Sequence, residues 1–237
     1  MKHILQDILK AKSQGKKLLA ILLDPDKINW DRLELLFDKV NRSKATHILV
    51  GGSSVAENLT DILVSQLKQN TRLPVVLFPG DYGQITAKAD ALLFLSLVSG
   101  RNPEYLITQQ IKAAPILQKA NIEVIPTSYI LIESGNQTAV ARVSNTRPIP
   151  QNNVELILHT AQAGAYLGHQ LTYLEAGSGA KTTVSEEIIS AISRGVSTAL
   201  IVGGGIRTQK QIDQAYRAGA DMVVVGTIFE ENIDFFE

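Results

Sequence analysis

Short apolar runs alternate with longer amphipathic stretches almost from one end of the chain to the other. Residues 18–23, 47–50, 75–78 and 91–95 read as the first four strands, and 123–127, 171–175, 198–202 and 222–225 as the other four. Helical patterns lie between them, clearest over 31–40, 57–68 and 185–194. Strands separated by helices of this length predict right-handed βαβ units and therefore a parallel sheet. Eight of them favour closure into a (β/α)8 TIM barrel over an open doubly wound sheet. A chain of 237 residues matches the usual size of such a barrel, about 250 residues, so one domain is expected across 1–237.

One connection breaks the rhythm. Residues 128–153 carry Ser-Gly-Asn, Asn-Thr-Arg-Pro and Ile-Pro turn signals with little periodicity. Following the fifth strand, this segment reads as a loop covering the C-terminal face, or equally as surface decoration.

Composition narrows the partners. Lysine and arginine number 23, as do aspartate and glutamate. No global field draws the chain to nucleic acid or an anionic membrane, so any anion must be captured locally. The absence of cysteine excludes disulfides, thiolate zinc sites and thiol catalysis. The chain starts without the basic segment and apolar run of a secretion signal, and no run of apolar residues reaches membrane-spanning length. A cytoplasmic protein is expected, with peripheral membrane contact left open.

Three rims of the expected barrel carry chemistry. After strand seven comes Gly203-Gly204-Gly205-Ile206-Arg207-Thr208, and after strand eight Gly226-Thr227. Glycines let backbone amides approach a ligand, and a helix starting near Thr208 would aim its positive end there. Loops after strands seven and eight are the common phosphate site of such barrels. Tight turns needing glycine are the plainer reading. Strand six ends in Tyr173-Leu174-Glu175-Ala176-Gly177-Ser178-Gly179-Ala180. Alternation puts Tyr173 and Glu175 at the barrel mouth, and Thr172, Leu174 and Ala176 against the outer helices. A carboxylate there must be solvated, paired or used, so Glu175 is either a proton acceptor for a substrate hydroxyl or a structural ion-pair partner. Strand one ends in Asp24-Pro25-Asp26-Lys27, and strand two in Gly51-Gly52-Ser53-Ser54. Asp24, at a strand tip facing a phosphate site, suits magnesium, with Ser53 as a neighbouring hydroxyl. Asp26 or Asn29 could instead cap the next helix. His3, His47, His159 and His169 lack metal-ligand spacing and read as structural.

Together, Leu23 to Lys27, Val50 to Ser53, Phe78-Pro79-Gly80, Tyr173 to Ala180 and Gly203 to Thr208 resemble the geranylgeranylglyceryl phosphate synthase family, which includes heptaprenylglyceryl phosphate synthases. The resemblance extends through Phe94 to Leu97, Arg101 to Pro103, Tyr129 to Glu133 and Thr146 to Pro150, nearly the whole chain. It implies a prenyltransferase that alkylates the C3 hydroxyl of sn-glycerol 1-phosphate with a prenyl diphosphate, releasing diphosphate and forming an ether-lipid precursor. Asp24 and Ser53 match the family's Mg2+ ligands. Tyr173, Leu174, Glu175, Ala176, Gly177, Ser178 and Gly179, with Gly204, Gly205, Gly226 and Thr227, match the glycerol phosphate segments. Glu175, with Tyr173 beside it, matches the group that activates the hydroxyl. An apolar lining near strands one to four is expected to hold the isoprenoid tail, and a homo-oligomer is expected. Leu22 stands where some bacterial members carry lysine, which sets this chain apart from the heptaprenyl-type branch. The rivals are another phosphate-binding barrel, such as a sugar-phosphate isomerase or FMN oxidoreductase, and a non-enzymatic carrier of a phosphate or prenyl ligand.

Overall fold

The computed structural model describes residues 3–226. Eight parallel strands close into a barrel in sequence order: β1 (Leu18–Leu23), β2 (His47–Val50), β3 (Val75–Leu77), β4 (Ala91–Leu97), β5 (Glu123–Leu131), β6 (Leu171–Glu175), β7 (Ala199–Gly203) and β8 (Met222–Val225). Leu18↔Met222 begins the register that joins β1 to β8 and closes the ring. The helices are α1 (Ile4–Ser13), α2 (Leu33–Arg42), α3 (Leu59–Asn70), α4 (Gln109–Ala120), α5 (Ala139–Ser144), α6 (Val154–Tyr166), α7 (Glu186–Gly195) and α8 (Gln209–Ala218). Among the described residues, no helix is long and apolar enough to cross a membrane.

Strand alternation splits the core in two. Ile21, Leu23, Ile48, Val50, Leu174, Val202 and Val223 point outward and pack with Phe37, Leu63, Ile157 and Ile188 of the surrounding helices. Their alternates Ala20, Leu49, Val76, Leu93, Tyr129, Tyr173, Ile201 and Val224 fill the barrel. Helix α1 closes the N-terminal end of the barrel, since Ile4, Ile8 and Ala11 join the interior cluster. The Glu123 carboxylate at the foot of β5 accepts the Ile4 and Leu5 amides at 2.6 and 3.2 Å, which anchors the start of α1.

The 128–153 segment is not a plain loop. Strand β5 continues to Leu131, because β4 and β6 both extend beside it, pairing Leu97↔Tyr129 and Leu131↔Glu175. A single parallel bridge, Ile132↔Ile149, then ties the segment's two ends together. Helix α5 lies between them, capped by Thr138, whose hydroxyl accepts the Ala141 amide at 3.2 Å.

Candidate active site

The C-terminal rim holds a polar cavity with an empty volume of about 1170 Å³. Asp24, Ser53, Tyr173, Glu175, Ser178, Gly179, Gly204, Gly205 and Gly226 all line it, bringing residues from five strand ends to one place. Leu174 and Ala176 belong to the outward-facing core instead. Their contribution is the backbone: the Ala176 amide donates to Gly203 O at 3.0 Å, holding the loop after β6 against β7. Thr227 lies outside the described residues.

Glu175 is 5% exposed. Its Oε1 accepts the Gly177 amide at 2.5 Å. Burial pushes its pKa up to about 7, while the Gly177 amide and the hydroxyls of Tyr173 and Tyr129 favour the charged form. The Tyr173 hydroxyl is fully buried and turned towards this carboxylate, but it meets no partner at good hydrogen-bonding geometry. It lies against Gly203, where any side chain would strike it. Burial and the Glu175 charge hold both phenols well above their usual pKa. Gly204, at φ +86°, is required here: a Cβ would come within 2.8 Å of the Ala176 amide and 2.5 Å of Glu175 Oε1.

Asp24 is nearly buried at the tip of β1. Its Oδ1 accepts the Asp26 amide at 3.2 Å and its Oδ2 pairs with Lys27 Nζ at 2.8 Å. Gly52 backs the carboxylate so closely that a Cβ would come within 2.8 Å of it. Asp26 accepts the Ala56 amide at 3.1 Å, and Asn29 caps the short turn Trp30–Arg32. Among the described residues, no three carboxylates or imidazoles cluster as a metal site. The expected pair, the Asp24 carboxylate and the Ser53 hydroxyl, both line the cavity and are of the oxygen-donor type that suits a magnesium ion taking its remaining oxygens from substrate and water.

The start of α8 differs from the expectation. Thr208 and Gln211 form a capping box, and Gln211 Oε1 accepts the Arg207 and Thr208 amides at 2.7 and 3.1 Å. Those amides are engaged by the helix's own Gln211 side chain and are not turned to the cavity as free donors. Two of the histidines are hydrogen-bonded within the fold. His47 is buried beside Thr46, its pKa pushed down to about 4 by burial, and His169 Nδ1 lies 2.7 Å from Ser128 Oγ.

A second, more apolar cavity of about 780 Å³ empty volume adjoins the first. It lies against β3 and β4 rather than across strands one to four: Phe78, Pro79, Tyr82, Ile85, Phe94 and Leu95 line it, with Val140 and Val143 of α5. Gly52, Ser53, Phe78, Tyr129 and Val140 line both cavities. Phe78, Tyr129 and Tyr173 stand together at this junction, with ring centroids 5.1–5.8 Å apart. Tyr129 is hidden from sequence reasoning as a site residue because the apolar pattern ends the fifth strand at Thr127, four residues before its observed end at Leu131. Its pairing opposite Tyr173 gives it the same inward direction.

A closed parallel barrel whose C-terminal rim brings together a buried carboxylate, glycine turns after β6 and β7, Gly226 and an apolar annex defines an α/β barrel with a polar cavity and an adjoining apolar one. The chain belongs to the PcrB family, matched over residues 7–236. It is 62% identical over 232 residues to the geranylgeranylglyceryl phosphate synthase of Flavobacterium johnsoniae, covering 98% of this chain and 96% of that one. Identity to the Thermococcus kodakarensis enzyme of the same name is 41% over 221 residues, 93% of this chain and 87% of that one. The crystal structure of (S)-3-O-geranylgeranylglyceryl phosphate synthase from Thermoplasma acidophilum, in complex with its substrate sn-glycerol-1-phosphate, superposes with a TM-score of 0.93 at 34% identity, covering 100% of this chain and 95% of that one.

Proposed function

We propose that this chain is a magnesium-dependent prenyltransferase that alkylates the C3 hydroxyl of sn-glycerol 1-phosphate with geranylgeranyl diphosphate, releasing diphosphate and forming an ether-lipid precursor. The observation that carries the reading is Glu175: a buried carboxylate tuned to about 7, in the cavity that Asp24 and the glycine turns share, beside an apolar annex. The names of the relatives above and the glycerol phosphate in the Thermoplasma enzyme support it.

Gly204, Gly205 and Gly226 receive the phosphate of the acceptor, with the loop after β6 beside its glycerol. The hydroxyl is held against Glu175, a base whose pKa lies close to neutral, where general-base catalysis is most effective. Tyr129 and Tyr173 favour the charged carboxylate. The isoprenoid lies in the apolar cavity and its diphosphate points to Asp24. The C–O bond to diphosphate breaks, the ether C–O bond forms, and the hydroxyl proton passes to Glu175. Holding both reactants at one junction replaces an encounter with a positioned attack. Magnesium bound by Asp24 and Ser53 would offset charge on the leaving oxygens. Exposed Ile107 and Ile111, one turn apart on the outer face leading into α4, support a homo-oligomer.

The test is incubation with magnesium, sn-glycerol 1-phosphate and prenyl diphosphates of increasing length, with mass analysis of the lipid. A twenty-carbon ether product that disappears on chelation is expected. No ether product at any chain length would reject the reading.

A further inference from the structure

Three cations line the polar cavity: Lys27, Arg142 and Arg207. Arg207 belongs to the glycine-turn side, where its guanidinium donates to Ala180 O at 3.2 Å. Lys27 belongs to the loop after β1. Its Nζ is 2.8 Å from Asp24 Oδ2 and 3.5 Å from Ser178 Oγ, so the ammonium spans the gap between the loops after β1 and β6. The turn beneath it is held firmly: the Lys27 amide donates to Asp24 O at 2.9 Å, and Pro25 O accepts the Trp30 indole at 3.1 Å. The side chain above that turn is half-exposed, at 48%. A fixed base with a long, partly solvated stem lets a point charge move over several ångströms without disturbing the fold.

We infer that Lys27 is a further substrate-binding residue, whose ammonium binds the diphosphate leaving group between Asp24 and the loop after β6. The inference rests on the proposed function. Two phosphate-bearing substrates meet in one cavity, and their anionic groups need separate cationic partners. The glycine turns and Arg207 serve one side, while Lys27 is already within hydrogen-bonding distance of the carboxylate on the other. An ammonium is well suited to phosphate oxygens as a point charge. The same ammonium also competes with any divalent cation for Asp24. One side chain therefore has two opposite effects: it strengthens diphosphate binding and weakens binding of a bare metal ion.

The test uses the full chain and two probes read by calorimetry, inorganic pyrophosphate without metal and Mn2+ without pyrophosphate. In Lys27→Met, pyrophosphate affinity is expected to fall about ten-fold or more, as for loss of a charge-assisted hydrogen bond. Mn2+ affinity is expected to rise about three-fold, the scale of a released ion pair at the protein surface whose lysine is half in solvent. Lys27→Arg should keep pyrophosphate affinity within about three-fold of the parent, since the charge remains. In the unmodified protein, pyrophosphate should protect Lys27 from an amine-acylating reagent, read by mass spectrometry. Unchanged pyrophosphate affinity in Lys27→Met or unaltered acylation of Lys27 would each overturn the inference. A fall in affinity for both probes would mark Lys27 as a brace for Asp24 and also overturn it. Absence of ether product from the unmodified protein would instead count against the proposed function, and the binding measurements would still stand.

Discussion

Replacing Glu175 by glutamine should stabilise the protein while disabling it, and the stabilisation should depend on pH with a predictable sign. Burial raises the folded-state pKa from the ordinary 4.5 to about 7. Between those values the folded chain holds a proton that the unfolded chain has released, so stability declines as pH rises through this window. At 1.36 kcal/mol per unit, the burden reaches about 3 kcal/mol above pH 7. Glutamine keeps the shape and can still accept the Gly177 amide, but never ionises. Denaturant titrations of the two proteins at pH 4.5, 6 and 8 should therefore show a gap that opens as pH rises. The gap should approach about 3 kcal/mol at pH 8, or about 6 °C in Tm for a chain of this length. Activity should fall by about a hundred-fold or more, the usual worth of a general base. A gap independent of pH, or a less stable glutamine variant at pH 8, would refute the reasoning.

Other substitutions probe the same architecture. Tyr129→Phe removes a hydroxyl that favours ionised Glu175, so the rising limb of kcat/KM against pH should move to higher pH; an unmoved limb would dissociate the phenol from the carboxylate. Gly204→Ala forces a side chain onto Glu175 and the Ala176 amide at positive φ; it should cost about 2 kcal/mol or more in denaturant unfolding and abolish product formation. His47 is held down to about pKa 4 by burial, so its ring resonances should not titrate between pH 8 and 5.5. Because its folded pKa lies below the ordinary 6.5, its contribution is complete above pH 6.5 and is lost as pH falls towards 4. His47→Leu should flatten that acid limb in unfolding experiments.

Much of the barrel was legible because strands buried on both faces read as short apolar runs, set apart by helix-length amphipathic stretches. In β6 the polar Tyr173 and Glu175 against apolar Leu174 assign inside and outside from parity. The meeting of Asp24 with Glu175 was legible for a similar reason, since both sit at strand ends of a parallel barrel. Other features depended on contacts distant in sequence. Strand β5 runs past Thr127 because β4 and β6 offer partners there, which local composition does not encode. Helix α5 is six residues long, too short for periodicity to announce. The capping of α8 by Gln211 required the side chain to fold back on the turn before it. The apolar cavity lies at β3 and β4 because α5 and the π-helical turn Glu104–Thr108 roof that side through Val140, Val143 and Tyr105.

Helix α1 stoppers the far end of the barrel with Ile4, Ile8 and Ala11, so among the described residues the cavities lie at the opposite, C-terminal rim. Donor, acceptor and both products of the proposed reaction share that rim, and each occupant crowds the next. Under the proposed reaction, a greasy product lodged in the annex would bar a fresh donor until it departs. Turnover in such a vestibule is therefore governed as much by clearing the exit as by making the ether bond, and an acceptor for the departing lipid should quicken the cycle.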